Sequence, residues 1–377
     1  MGKIIKYNME LEVLTPLHIA SGEELNKMEY LFNQGKRELT IIDNAKFVDY
    51  LIKKNLFDKY LNYIENYKHI ELFAFIKNHK ILDEDIKTFS KKVYKNLNLV
   101  NDDIKNGIKK LNRNIQGKPY IQGSSIKGAL LNTLLVDYII NHRDEFNYEK
   151  NEIFKLLKNT KELKYVKKDL KRITDNLVKK ILNLGMKNDK VKVFGISVSD
   201  SYKYENTRTN FYKDIDRHLE DRNQKETSMP ITREYIEAKS RFYFDITVDF
   251  DMLSKTKLDI KNMDELIEHL ENANDYLINH TLNINDPAQY TLILGANTGF
   301  HQKTIIHALF ENKHERTEVT KKILHKETKN RKTKKMFSHL DDKISPRVLN
   351  GMNENNDFEI AGLVKLKEIG EKNVGRN

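Results

Sequence analysis

The segment at residues 119–135, PYIQGSSIKGALLNTLL, constrains the fold more than any other part of the chain. It opens with a short apolar stretch and a Gly-Ser-Ser turn, and the run at 126–140 that follows is apolar on most sides. A helix without a polar face must be covered on several sides by other elements. The segment therefore predicts a buried core helix, with Ser124 or Ser125 as its N-cap.

The start of this helix is also a candidate phosphate site, because free N–H groups and the positive end of the helix dipole favour an anion there. The residues at that end are Gly123, Ser124, Ser125, Lys127 and Gly128. An ordinary capped core helix is the alternative. The segment is not a Walker A loop, since Lys127 precedes Gly128 and Ala129 stands where that loop has Ser or Thr. The site is therefore better suited to a backbone phosphate of RNA or DNA than to a nucleoside triphosphate.

The positive charge of the chain is concentrated in two segments. Of the net charge of +11, residues 144–190 contribute about +5 and residues 301–343 about +6, and the remaining chain is balanced. A local excess of this kind favours a polyanionic partner. A proteome rich in Lys and Asn is the alternative explanation of the high pI.

Composition excludes several other classes. The chain has no cysteine, so it has neither a disulfide framework nor a thiolate metal site. No apolar run approaches ~18 residues and the N-terminus is strand-like, so we expect a soluble, cytoplasmic protein without a membrane partner. The 12 histidines form no H-E-x-x-H or other tight metal spacing, and we predict no metal and no cofactor.

The order of elements predicts an α+β protein with an antiparallel sheet. Strands are expected at 3–14, 38–43, 191–199, 229–250, 290–294 and 358–365, and the polar segment 206–227 is expected to be a loop. The chain has no Pro/Gly-rich linker, so residues 1–377 are predicted to form one elaborated body. Large helical insertions are predicted at about 46–113 and 144–190, with a basic C-terminal region at about 301–343.

Three segments resemble the RAMP superfamily of CRISPR RNA-binding proteins. They are TPLHIASGEE at 15–24, PYIQGSSIKGALLNTLL at 119–135 and LILGANTGFHQKT at 292–304. The second is similar to the family's Pro-Gly-Ser-Ser-x-Lys-Gly-x-x-Arg motif and the third to its C-terminal glycine-rich loop. VSDS at 198–201 and the run at 230–246 also fit. Gln122 replaces the motif's proline and Asn132 its arginine, which weakens any role of position 132 in binding phosphate by charge.

The resemblance implies a ferredoxin-like (RRM-type) core and a crRNA-binding role. The segments are most similar to the subunit that caps the 3′ end of the guide RNA in type III-A (Csm) effector complexes. This similarity implies a non-catalytic part in interference, crRNA maturation and antiviral defence. The implied partners are the guide RNA, other RAMP subunits and target RNA. The predicted RNA-binding residues are His18, Ser21, Gly123, Ser124, Ser125, Lys127, Gly128, Arg233, Lys239, Gly295, Asn297, Gly299 and Lys303.

Two other functions stay open at this point. Some RAMP proteins are metal-independent endoribonucleases that process CRISPR RNA, and His18 is the candidate general acid or base for such a reaction. Asp200, Asp214 and Asp216 are candidates for an acidic cutting site. The other function is that of a basic scaffold that binds only protein.

Overall fold

The computed structural model describes residues 4–66, 70–99, 101–104, 107–159, 163–183, 195–218, 226–282, 290–295, 299–327, 348–354 and 357–374. The strands are β1 (Ile4–Val13), β2 (Ala20–Leu25), β3 (Tyr30–Asn33), β4 (Glu38–Ile42), β5 (Ser90–Tyr94), β6 (Ile108–Leu111), β7 (Ile196–Val198), β8 (Lys203–Glu205), β9 (Thr209–His218), β10 (Glu226–Ile236), β11 (Arg241–Asp249), β12 (Leu292–Ile293), β13 (Val348–Glu354), β14 (Asp357–Ile360) and β15 (Leu363–Asn373). The helices are α1 (Asn44–Lys53), α2 (Phe57–Asn66), α3 (Leu72–Asn78), α4 (Asp83–Thr88), α5 (Gly123–Asn141), α6 (Asn147–Asn159), α7 (Leu163–Ile181), α8 (Phe250–Leu253), α9 (Met263–Asp275), α10 (Phe300–Lys303) and α11 (Lys313–Glu327).

The first sheet, which we call the central sheet, contributes residues of five of its strands to the largest hydrophobic cluster. Its strands run in the order β12-β15-β1-β11-β7, β8 also pairs with β11, and every pair is antiparallel. In β11, buried and half-buried residues alternate from Arg241 to Asp249, which places one face of the strand in the core. The predicted α+β class with antiparallel sheets is therefore confirmed.

Helix α5 is the core helix that its composition predicts. Its apolar side chains, including Ile126, Leu130 and Leu134, belong to the largest hydrophobic cluster, together with residues of β1, β11 and α9. Within the described residues, no helix is both long enough and apolar enough to span a membrane.

A second sheet has the order β14-β13-β9-β10-β6-β2, and a third small sheet has the order β3-β4-β5. Strand β9 lies within the segment 206–227 that we expected to be a loop, so that prediction is wrong for residues 209–218. Its alternation is hard to see in the sequence because Asp214, on one of its faces, is a buried carboxylate. Strands β5 and β6 also lie within residues 46–113, where only helices were expected.

An ion pair joins the two helices that pack on the central sheet. Nδ1 of His269 in α9 lies 2.6 Å from a carboxylate oxygen of Asp137 in α5, and Asp137 is buried. The hydrogen bond with Asp137 raises the pKa of His269 above its ordinary 6.5. The charged pair thus links α5 to α9 when the imidazole is protonated.

We expect this pair to make the stability of the protein depend on pH. Since the folded pKa of His269 is raised, its contribution is fully present below pH ~6.5 and is lost as the pH rises through the folded value. The free energy of unfolding of the wild type should therefore fall above pH ~6.5 relative to that of His269→Gln. Urea unfolding of both proteins across this range measures the difference, and parallel pH profiles would contradict the prediction.

Candidate functional site

The three segments that resemble RAMP motifs, at 15–24, 119–135 and 292–304, contribute residues to one cavity, which we call the motif cavity. Its volume is about 670 Å³. Its lining residues are His18, Ile19, Ala20, Gln122, Ser124, Ser125, Gly128, Ala129, Asn132, Arg233, Leu294, Gly295 and Lys303. The lining contains two cations, two hydroxyls and two amides, and no carboxylate among the residues that the structure describes. Such a surface suits a phosphate and sugar backbone.

The start of α5 is held by the end of β7. Gln122, not Ser124 or Ser125, occupies the N-cap position, so the predicted cap is wrong. The Gly123 N–H instead donates to the Asp200 carboxylate at 2.8 Å. A Cβ on Gly123 would lie 2.4 Å from the carbonyl oxygen of Val198. Gly123 therefore lets the helix approach β7 closely, and its N–H is already occupied.

Gly295 joins the third segment to the first. It has φ +76°, which favours glycine, and a Cβ there would lie 2.2 Å from the His18 carbonyl oxygen. The tight contact brings Leu294 and the residues after β12 to the wall that His18 and Ile19 form. A glycine is required here because the two backbones touch.

His18 is a buried residue of the cavity wall. Its Nδ1 lies 2.6 Å from the carbonyl oxygen of Glu234, which can only accept, so Nδ1 carries the proton. Burial lowers the pKa of His18 to about 4, although the hydrogen bond to Glu234 acts in the opposite direction. The ring is therefore neutral at physiological pH, and it is poorly suited to acid–base catalysis near neutrality.

Arg233 is positioned by a buried carboxylate. Its Nε donates to Asp214 at 2.6 Å, and the Tyr235 hydroxyl donates to the same carboxylate at 2.8 Å. Burial raises the pKa of Asp214, and the nearby Arg233 opposes this effect. Asp214 thus holds Arg233 at the edge of the cavity. Asp216 lies in the middle of the second sheet, paired with Thr227 of β10 and Asn350 of β13.

Several predicted site residues lie outside the lining of the motif cavity. Ser21 orders β2, because its hydroxyl donates to the Lys110 carbonyl at 3.3 Å and accepts the Glu23 N–H at 3.1 Å. Lys239 is exposed in the turn after β10, where its N–H donates to Val13. Gly123, Lys127 and Gly299 also do not line the cavity, and Asn297 lies outside the described residues.

The structure adds lining residues that the sequence had not marked as binding residues, among them Ala20, Gln122, Ala129 and Asn132. Ala129 and Asn132 follow Ser125 and Gly128 on α5 at helical spacing, so a helical projection of residues 119–135 could have indicated them. Among the described residues, no group of three or more His, Asp or Glu is arranged to hold a metal ion.

Comparisons with known proteins agree on one family. A model of the RAMP superfamily matches residues 10–300. The CRISPR system Cms protein Csm5 of Enterococcus italicus is 31% identical over 147 residues, which cover 34% of this chain and 42% of that protein. The Csm5 of Streptococcus thermophilus is 25% identical over 318 residues, covering 79% of this chain and 80% of that protein. The first match thus spans less than half of its relative.

Solved structures share the fold over most of the chain. A chain in the cryo-EM structure of a type III-A Csm-crRNA-target RNA ternary complex has a TM-score of 0.63 at 18% identity, covering 97% of this chain and 100% of that one. The crystal structure of T. onnurineus Csm5 has a TM-score of 0.54 at 18% identity, covering 80% of this chain and 93% of that one. At this identity the similarity concerns the fold.

Proposed function

This chain belongs to the RAMP superfamily, and we propose that it is a non-catalytic crRNA-binding subunit of a type III-A CRISPR effector complex. In this function it binds the 3′ part of the guide RNA and caps the backbone filament. Its partners are the guide RNA, the other RAMP subunits and target RNA. The named relatives are Csm5 proteins, and one structural neighbour belongs to a Csm-crRNA-target RNA complex.

One observation carries the proposal: segments from three distant parts of the chain converge on a single cavity, and none of its described lining residues is a carboxylate. An RNA strand placed there meets Ser124 and Ser125 at the start of α5, and Lys303 and Arg233 at the edges. Hydroxyls and cations are the groups that proteins use to contact phosphates, and such contacts carry no base sequence. The subunit therefore holds guide RNAs of different sequence equally well.

We also propose that the central sheet is a ferredoxin-like (RRM-type) core. The order β15-β1-β11-β7 with antiparallel pairing, and two helices of the core, α5 and α9, support this assignment. In that arrangement α5 follows β1 in the chain and α9 follows β11. Residues 46–113 and 144–190 are then insertions into one body.

The endoribonuclease alternative is less favoured. Its candidate base, His18, is buried with a pKa of about 4. Two of its three candidate acids are engaged in contacts within the protein, since Asp200 accepts the Gly123 N–H and Asp214 pairs with Arg233.

Binding of labelled single-stranded RNA across salt concentrations, with and without magnesium, tests the proposed function. We expect a salt-sensitive complex that contains intact RNA. Cleavage without magnesium, abolished by His18→Ala, would establish the endoribonuclease instead. Absence of RNA binding at low salt, with binding of partner subunits intact, would establish a scaffold that binds only protein.

Gly128→Ala should raise stability and weaken RNA binding in one variant. Gly128 is exposed within α5, and apart from its chain neighbours and the helix's own backbone no atom lies within 4 Å of the Cβ position. Alanine stabilises an exposed helix interior over glycine by about 0.5–1 kcal/mol. The same methyl group enters the motif cavity and should lower the affinity for RNA several-fold. Thermal unfolding and RNA titration measure the two effects.

The matched control for this variant is Asn62→Ala, an exposed substitution in α2 that also improves helix propensity. It should raise stability slightly without changing RNA affinity. Equal RNA affinities of Gly128→Ala and the wild type would contradict the placement of RNA beside this glycine.

A further inference from the structure

A second cavity, which we call the basic pocket, is lined by residues 92–95, 113, 116–119, 207–210 and 237. Its volume is about 580 Å³. The basic residues in its lining are Lys92, Lys95, Arg113, Lys118 and Arg208, and Glu237 is the one carboxylate that lines it within the described residues. The pocket therefore has a strong excess of positive charge, which favours the binding of an anion.

Two of these cations are available to a ligand. Arg113 pairs with the buried carboxylate of Glu234, and the Lys95 ammonium lies 3.6 Å from Glu38. Lys118 and Arg208, by contrast, are exposed, and neither forms an ion pair within the part of the chain that the structure describes. Both side chains line the pocket, so an anion bound there can pair with them.

The turn that carries Lys118 is fixed in place. The Asn114 side-chain oxygen accepts the N–H groups of Gln116 and Lys118, both at 3.0 Å. The Arg113 guanidinium donates to the Gly117 carbonyl at 2.6 Å, and Gly117 has φ +72°. The wall of the pocket is thus ordered before a ligand arrives, which lowers the entropic cost of binding.

Lys92 is a further cation of the basic pocket, and its pKa depends on the charges around it. Its ammonium lies 4.2 Å from the centroid of the Tyr94 ring and 3.5 Å from the Thr209 hydroxyl. Burial lowers the pKa of Lys92, the charges of Arg113 and Lys118 lower it further, and the carboxylate of Glu234 opposes them. A bound anion would offset this repulsion.

The basic pocket lies close to the motif cavity along the chain. Pro119 lines the basic pocket and Gln122 lines the motif cavity. Three residues span at most about 11 Å. A few nucleotides of single-stranded RNA span this distance. One RNA strand can therefore reach from one cavity to the other.

We propose that the basic pocket is a second binding site for RNA phosphates, occupied by the same strand that lies in the motif cavity. The inference rests on the proposed function, because it extends the RNA path from one site to two. Lys118 and Arg208 contact the phosphates directly, and Lys92 adds charge from the pocket wall.

The test is a salt titration of single-stranded RNA binding with the full chain and the Lys118→Ala/Arg208→Ala variant. Losing two charge-assisted contacts should weaken RNA binding about ten-fold or more. The slope of log affinity against log salt should become shallower by about 1.4, at ~0.7 for each phosphate on a single strand. The matched control, Lys59→Ala/Lys255→Ala, removes two charges from exposed lysines that line neither cavity, and it should keep the wild-type slope.

The outcomes separate the two proposals. RNA binding by the wild type, with equal affinity and slope in the Lys118→Ala/Arg208→Ala variant, would overturn the second site alone. Equal losses in this variant and in the lysine control would also overturn it, because only net charge would matter. Failure of the wild type to bind RNA at low salt would overturn both proposals.

Discussion

Gly295→Ala is expected to destabilise the protein by about 2–5 kcal/mol. The residue has φ +76°, and an L-residue in that conformation costs about 1–2 kcal/mol. The added Cβ would also lie 2.2 Å from the His18 carbonyl oxygen, and overpacking of this kind costs about 1–3 kcal/mol. Because the contact is backbone against backbone, neither side can move away cheaply. Urea unfolding of the variant and the wild type measures the loss.

Substitutions at two other glycines separate the conformational cost from the cost of the close backbone contact. Gly22 has φ +86° and open space around its Cβ position, so Gly22→Ala should show the conformational cost alone. Gly299 has open space and no positive φ, so Gly299→Ala should change the free energy of unfolding little. Similar losses for Gly295→Ala and Gly299→Ala would contradict the close contact between the first and third segments.

A negative charge at position 132 should weaken RNA binding, and a positive charge there should strengthen it. Asn132 lines the motif cavity, which has no carboxylate among its described lining residues. Asn132→Asp places a negative charge beside the RNA phosphates, and repulsion at ~4 Å costs about 1–4 kcal/mol between bulk water and a protein surface. We expect RNA binding to weaken about ten-fold or more. Asn132→Arg should strengthen it, because the arginine of the family motif is restored.

The same pair of substitutions at Asn62 is the control. Asn62 is exposed in α2 and lines neither cavity. At ~0.15 M salt the Debye length is ~8 Å, so charges at Asn62 should barely affect RNA affinity. If Asn132→Asp and Asn132→Arg shift the affinity in the same direction, electrostatic contact at this position is refuted.

Local patterns predicted much of the framework. Alternation in β11 and the absence of a polar face in α5 report burial directly, so both elements were predictable. Asp43 is of a residue type that favours the N-cap position, and its carboxylate caps α1 by accepting the Lys46 N–H. The family motifs were recognisable from short segments, and the match over residues 10–300 confirms the RAMP prediction.

Contacts between residues far apart in the chain could not be predicted from local sequence patterns. The Asp200 carboxylate that accepts the Gly123 N–H is 77 residues away in the chain, so no sequence pattern near α5 indicates this contact. Strand β9 escaped prediction because Asp214 looks solvent-exposed until Arg233 is placed beside it. The convergence of three segments on one cavity likewise depends on the Gly295–His18 contact, which local sequence does not encode.

Photo-crosslinking of the full chain to single-stranded RNA containing 4-thiouridine, followed by peptide mapping, tests the location of the RNA most directly. We predict crosslinks in the peptides that line the motif cavity, at residues 18–20, 122–132 and 294–303, and their loss in Asn132→Asp. Crosslinks confined to other surfaces, such as the lysine-rich helix α7, with none in these three peptides, would contradict the account.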